Sequence, residues 1–352
     1  MTAPSLGDVV AGRFDRHRLI PGWHQERLHA ATAVVAGVGA LGNEVARLLA
    51  MAGIGRLILC DPDIVAPSNL SRTVLFRDQD VGRPKASTAA AALSSLAPWT
   101  EVDARDATLS AAVGLAELRE ATLALGCLDT RAARIQLAGR CQTAGTALID
   151  GGTGPWGGQI GLYPAGAACY ACWNSPEERA ERDDPWSCAG PPDAPAAGAS
   201  APVSALVGSW QAVTAVRLCL GLAVPRGTVR VLAADGRAAD TPHERIDPTC
   251  PLHVTLRPQD VEVVPLDHHG TVAQLHALLQ AGEEAFTWAP FTVPDGAGAI
   301  STRLRHAPPD ARLAELGVPP REILPIHRTA GAAGVRYLEL ADQVHSRTER
   351  RP

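Results

Sequence analysis

The stretch Thr32-Ala33-Val34-Val35-Ala36-Gly37-Val38-Gly39-Ala40-Leu41-Gly42, continued by Asn43 to Gly53 and closed by Arg56-Leu57-Ile58-Leu59-Cys60-Asp61, decides the fold. An apolar run, a glycine turn, a helical stretch and a second apolar run make strand, helix, strand, the opening unit of a parallel nucleotide-binding sheet. Gly37, Gly39 and Gly42 let backbone approach a phosphate, and the helix start offers N–H donors. Asp61 stands 19 residues beyond Gly42, at the end of the second strand, where it accepts from ribose hydroxyls. A glycine turn that holds no ligand is the plainer alternative.

The alternation continues outward from this unit. Helical stretches are expected near Lys85–Leu96 and Ser110–Glu120 with a strand around Val102 between them, then a strand at Thr122–Leu128, a helix from about Thr130 to Ala144 and a strand at Ala147–Asp150. Up to Asp150 this is a doubly wound α/β sheet of Rossmann type. Gly158–Pro164 alternates like a further strand. The stretch Ser175–Pro202, rich in Pro, Ala, Gly and charge, reads as a disordered segment or a working loop. Val203–Leu222 reads as a buried helix and Thr228–Ala234 as a strand. Residues 256–347 form a separate small α+β domain with helices at Val272–Gln280 and Ala311–Gly317. The organisation expected is therefore a tail over 1–12, a nucleotide-binding domain over 13–255 whose loop spans 175–202, the small domain, and a tail over 348–352. No fixed-period repeat is visible.

Composition narrows the classes. The 352 residues are 46% hydrophobic and 20% charged, as in ordinary globular proteins, and the formal charge of -5 leaves no footprint for nucleic acid or an anionic membrane surface. The first twelve residues hold no apolar signal core. The apolar stretch Pro202–Val224 carries Gln211 and Arg217 well inside it, which favours a core helix over a membrane span. Eight cysteines in a long chain of this kind fit a reducing, cytoplasmic setting, where metal binding or catalysis comes before disulfides.

Beyond Asp61 the sequence is unlike a dehydrogenase. Asp61-Pro62-Asp63-Ile64-Val65-Ala66-Pro67-Ser68-Asn69-Leu70-Ser71-Arg72 and Asp80-Val81-Gly82-Arg83-Pro84-Lys85 place an Asn, an Arg and a Lys just past the ribose-binding strand end. Attack at phosphorus needs cations around the developing negative charge, and hydride transfer does not. Farther on, Cys169-Tyr170-Ala171-Cys172 and Cys250-Pro251-Leu252-His253 form two knuckles separated by 77 residues. Three thiolates and an imidazole complete a closed tetrahedral zinc site, with no position left for water, so the ion would staple structure. Buried thiols without a metal are the alternative. Cys60, Cys127, Cys141 and Cys219 lie among apolar residues and read as core packing.

Taken in order from Arg13 to about His253, these motifs resemble the adenylation domain shared by the ubiquitin-activating enzymes and the bacterial sulfur-carrier adenylyltransferases of thiamine and molybdopterin biosynthesis, the ThiF type. The match takes in Arg13-Phe14-Asp15-Arg16, the glycine loop, the Asp61/Asp63 and Asn69/Arg72 run, the run to Lys85, Cys127-Leu128-Asp129-Thr130 and the first knuckle. The resemblance implies that Arg72 and Lys85 hold the triphosphate of ATP with help from Asn69, that Asp61 binds ribose, and that Asp129 coordinates Mg²⁺. It implies that Arg16 reaches into a neighbouring subunit's ATP site, making the active unit a homodimer, and that Cys188 lies in a crossover loop where its thiol can attack the adenylate. For each residue taken singly, a surface charge, or for Cys188 an incidental loop cysteine, is the alternative. Three positions depart from the family: Thr73 stands where Gln is frequent, Thr130 where Asn is frequent, and His253 where the second knuckle usually ends in cysteine.

The activity implied is adenylation of the C-terminal carboxylate of a small β-grasp carrier protein ending in Gly-Gly, giving acyl-AMP and pyrophosphate. Adenylation of a ribosomal peptide in natural-product biosynthesis would share every motif. An NAD-dependent oxidoreductase would leave Arg72, Lys85 and the knuckles unexplained, and a nucleotide-binding scaffold without turnover has only Thr73 and Thr130 in its favour. No cysteine follows Cys250, so residues 256–347 carry no sulfurtransferase thiol.

Overall fold

The structure is a computed structural model and describes residues 12–180, 198–224, 228–232, 235–288, 300–301, 303–328 and 335–341. Eight strands form the main sheet: β1 (Thr32–Ala36), β2 (Arg56–Cys60), β3 (Glu101–Arg105), β4 (Leu123–Gly126), β5 (Leu148–Thr153), β6 (Gly158–Tyr163), β7 (Thr228–Leu232) and β8 (Ala238–Pro242). Their order is β3-β2-β1-β4-β5-β6-β7-β8, with the first five parallel and β6 to β8 added antiparallel. The chain reverses direction across the sheet between β1 and β4, so the crevice at their carboxyl ends is the topological switch point where such sheets bind ligands.

Both faces of the sheet are covered, which the alternation of side chains makes explicit. Ala33, Val35, Leu57, Leu59, Leu123 and Leu125 join a core with the helices Ala40–Ala52, Lys85–Leu96 and Ala201–Cys219. Val34, Ala36, Ile58, Cys60 and Ala124 face the other way, onto the helices Leu115–Glu120 and Arg131–Ala144. The helix Ala40–Ala52 buries Leu41, Val45, Ala46, Leu49 and Ala50 at helical spacing and ends on Gly53 at φ 88°. The helix Ala201–Cys219 is not wholly buried as expected: Leu206 and Val213 stand exposed on its outer side. Leu109–Ala112 and Leu115–Glu120 are two short helices where one was expected. Gly114 breaks them because a Cβ there would lie 2.1 Å from the Pro320 carbonyl oxygen.

A second, four-stranded sheet is built from β9 (Val261–Val264), β10 (Glu283–Ala285), β13 (Ile323–Arg328) and β14 (Val335–Leu340), in the order β10-β13-β14-β9. A two-stranded pair, β11 (Thr287–Trp288) and β12 (Ile300–Ser301), lies beside it. Its own core gathers Val264, Leu275, Leu304, Leu324 and Leu338. The helix expected over Val272–Gln280 stops at His276. This sheet docks on the helices Leu115–Glu120 and Arg131–Ala144 of the main fold: Arg140 donates to Glu322 at 2.8 Å, Arg119 to Glu339 at 2.7 Å, and Arg321 pairs with Glu120 and Glu339.

Candidate adenylation site and metal cluster

The glycine loop is built by backbone geometry. Gly37 sits at φ 89°, and a Cβ on Gly42 would come 1.9 Å from the Gly37 carbonyl oxygen, so the helix start closes directly onto the loop. Nothing lies within 4 Å of where a Cβ on Gly39 would be, leaving open space at the loop's tip. Asp61 accepts from the Val38 N–H at 2.6 Å and from the Asp63 N–H at 2.9 Å. Its carboxyl is pushed above the ordinary carboxylate range by burial, against which the Lys85 charge and those two N–H donors act. Asn43, which sequence reading passed over, is fully buried and donates to the Val38 and Gly39 carbonyls while accepting from the Leu75 N–H at 2.9 Å. It ties the loop to the segment that follows Arg72. A polar residue in the first turn of the helix, directly after the third glycine, was the available signal.

The segments around Asp63 and Lys85 pair as a short antiparallel ladder: Lys85 N–H donates to the Asp63 carbonyl, Val65 N–H to that of Arg83, and Gly82 N–H to that of Val65. Lys85 therefore opens its helix beside Asp63, and its Nζ lies 2.7 Å from the Asp63 carboxylate. Asn69 accepts from the Ala66 N–H at 2.9 Å, holding the turn that presents Arg72, whose guanidinium donates to the Ser68 carbonyl at 2.5 Å. Thr73 donates to the Asn69 carbonyl at 3.0 Å, so the residue that departs from the family closes the same turn.

Asp129 follows β4 on the other side of the switch point. Its carboxyl is pushed up by desolvation and by the Asp63 charge, and pulled down by its own backbone N–H, Lys85 and Arg134. Asp129 thus offers carboxylate oxygens, the donors Mg²⁺ takes, in a crevice where the Asp63 charge also acts on it. Thr130 caps the following helix, accepting from the Ala133 N–H at 3.2 Å, which an Asn there would also do. The structure thus brings together Gly37, Gly39, Gly42, Asp61, Asp63, Lys85 and Asp129, with the Asn69 and Arg72 turn linked to the glycine loop through Asn43.

Arg16 is not among them. It lies exposed on the short helix Asp15–Arg18. The neighbouring Phe14 packs edge-on against Trp99 at 5.7 Å and against Gly53, at the far ends of the helices that start at the glycine loop and at Lys85. The helix Ala40–Ala52 spans 13 residues, or about 20 Å, beyond the reach of an arginine side chain. Cys188 lies outside the described residues.

Cys169, Cys172, Cys250 and His253 converge, their ligand atoms all within 4.8 Å of one another. The Cys169 sulfur is 3.8 Å from that of Cys172 and 3.7 Å from that of Cys250. A zinc tetrahedron with bonds of about 2.3 Å has sulfur–sulfur edges of about 3.8 Å, so the residues fit the ion. Hydrogen bonding from Cys169 and Cys250 pushes the Cys172 thiol down, while Cys169, bonded to Cys172 and Cys250, is pushed up; three thiols here share protons that a metal would displace. Arg179, also missed from sequence, is buried and joins the knuckles: it donates to the Ala171 carbonyl at 2.9 Å and to Thr249 at 3.2 Å, and pairs with Asp247. Leu252 packs onto Gly139 of the helix that Thr130 caps. Cys60 and Cys141 are buried in the core as expected, and Cys127 and Cys219 partly so. Among the described residues no helix is long and apolar enough to cross a membrane.

Residues 14–252 match the model of the ThiF family, and the chain belongs to that family. It is 33% identical to the molybdopterin-synthase adenylyltransferase of Escherichia coli K12 over 62% of this chain and 86% of that protein. It is 31% identical to the sulfur carrier protein ThiS adenylyltransferase of the same organism, over 61% and 82%. Among solved structures, E. coli MccB with ATP superposes with a TM-score of 0.56 over 70% of this chain and 75% of that one at 21% identity, a likeness of fold. The class of enzyme expected from the motifs, adenylyltransferase, is that of the curated relatives.

Proposed function

We propose that this ThiF-family chain uses ATP to adenylate the C-terminal carboxylate of a small β-grasp carrier protein, releasing pyrophosphate. The observation that supports this most directly is the meeting of a glycine loop, a buried lysine and two carboxylates at one switch point. Hydride transfer needs no such set. The open space at Gly39 and the helix start receive phosphate. Lys85, oriented by Asp63, supplies its charge to the triphosphate, and Arg72 supplies its own from the Asn69 turn. Asp61 holds the loop through Val38 and keeps lone pairs for the ribose hydroxyls. Asp129 would hold Mg²⁺, which when bound would supply positive charge for the triphosphate and the pyrophosphate leaving group. The four knuckle residues hold zinc as a staple between the anchors of the segment 175–202, in which Cys188 would act on the adenylate.

We place Arg16 in the site of a second copy, because it cannot reach its own. The exposed side chains of Leu206, Val213 and Met51, on adjacent helices, supply an apolar face for that copy. ATP–pyrophosphate exchange with purified carriers ending in Gly-Gly tests the reading. Exchange that depends on the carrier's free C-terminus supports it. Exchange with a short peptide alone would move the assignment to the peptide chemistry, and no exchange with any carboxylate would remove it.

A further inference from the structure

The helix that starts behind Asp129 carries a charged side chain that has so far entered only through its field on Asp129. Arg134 folds back along the helix toward the strand beneath. Its Nε donates to the Leu128 carbonyl at 2.9 Å, and its guanidinium lies 3.4 Å from the Asp150 carboxylate on β5. Asp150 is 2% exposed, and its Oδ1 has no hydrogen-bond partner among the described residues. Two glycines make room for the pair. A Cβ on Gly126 would lie 2.4 Å from Asp150 Oδ1, and one on Gly152 would lie 2.7 Å from the Arg134 guanidinium. The Leu128 carbonyl belongs to the residue just before Asp129, so Arg134 grips the turn that presents the metal carboxylate.

We infer that the buried pair of Arg134 and Asp150 is a positioning device that fixes the Leu128–Asp129 turn and so sets the affinity of the site for the Mg²⁺ form of ATP. The inference rests on the assignment of Asp129 as the magnesium ligand. The chemistry follows from the donor count: a guanidinium can satisfy a carbonyl and a carboxylate at once through separate nitrogens, and an ammonium at the same place cannot hold both in one plane. With Asp150 neutralised, Arg134 loses the carboxylate that faces it on β5, and its hold on the Leu128 carbonyl loosens. Burial pushes the Asp150 carboxyl up to about 6 even with the Arg134 charge pulling it down.

Calorimetric titration of Asp150→Asn and Arg134→Lys with ATP, in Mg²⁺ and separately in EDTA, tests this in the full chain. The dissociation constant in Mg²⁺ should rise about tenfold, as for other residues that orient a metal ligand, while that in EDTA stays at the wild-type value. Asp129→Ala should abolish the difference between the two titrations. If Asp129→Ala retains the full effect of Mg²⁺, the magnesium assignment of Asp129 fails. If Asp129→Ala loses the effect but Asp150→Asn and Arg134→Lys match wild type, or weaken both titrations equally, the assignment stands and the positioning role is overturned. Melting temperatures measured alongside identify a variant that fails to fold, in which case the other variant decides.

Discussion

The Cys169, Cys172, Cys250 and His253 cluster and the Asp63, Lys85 and Asp129 cluster both gather unlike ligands from distant segments, yet they are finished to different degrees. The first is geometrically converged: two sulfur–sulfur edges match a zinc tetrahedron, and Arg179 clamps the segments that carry it. The second is open, and its charges hold one another, Lys85 against Asp63 at 2.7 Å, with Asp129 raised chiefly by desolvation. A structural site is built for one permanent occupant, so its ligands must converge fully. A catalytic site must admit and release its nucleotide, so its groups keep provisional partners.

The difference can be broken at its most sensitive point. Asp129→Ala should lower adenylation by at least about 100-fold with the fold intact, measured by pyrophosphate exchange and circular dichroism. A loss under about tenfold would mean that the open cluster does not depend on its carboxylate. Cys172→Ser should do the opposite: zinc content falls and the melting temperature drops by about 10 °C, while ATP affinity at a temperature where the variant is folded stays near wild type. Folded, active protein that contains no metal after purification would show that the closed cluster closes by itself.

A smaller effect sharpens the sense in which the catalytic cluster is open. If Arg16 completes the site of a second copy, mixing inactive Arg16→Ala and Lys85→Ala chains under conditions of subunit exchange should restore about a quarter of wild-type turnover. Half of the dimers are then mixed, and each has one complete site. Background activity with exchange confirmed would return Arg16 to its own surface. The smallest effect separates shape from chemistry beside Asp129: Thr130→Ala should cost about 1 kcal/mol of stability in denaturant titration, and Thr130→Asn nearly nothing. A large activity loss in Thr130→Asn would give the hydroxyl a role beyond the cap.

Much of the catalytic edge was legible because its signals are local. The strand, glycine turn and helix over 32–61, the helix at Lys85–Leu96 and both knuckles lie within short windows of sequence, where spacing alone fixes geometry. Other features depend on partners that only packing brings close. Arg134 and Asp150 lie on different elements, and each reads as an ordinary helix or strand charge until the helix covers β5. Arg179 resembles a loop charge until it meets Asp247 and Thr249 from the second knuckle. The break at Gly114 answers to Pro320, some two hundred residues away, and β8, with every residue exposed at the sheet edge, offers no apolar alternation to read.

The docking at Gly114 and Arg321 bears on reach. Arg321 is the one non-glycine residue at positive φ among those described, 52°, and its carbonyl accepts from the Ala116 N–H at 3.2 Å while its side chain bridges Glu120 and Glu339. With the buried ion pair of Arg140 and Glu322 behind it, the second sheet is riveted to the helices of the first, and a swinging arm would need those bonds broken together. Any molecule seated on the second sheet consequently stands at a constant distance from the glycine loop. If the proposed carrier docks there, the slack needed to bring its carboxylate to phosphorus would have to come from its own tail, whose length would become the ruler by which guests are sorted.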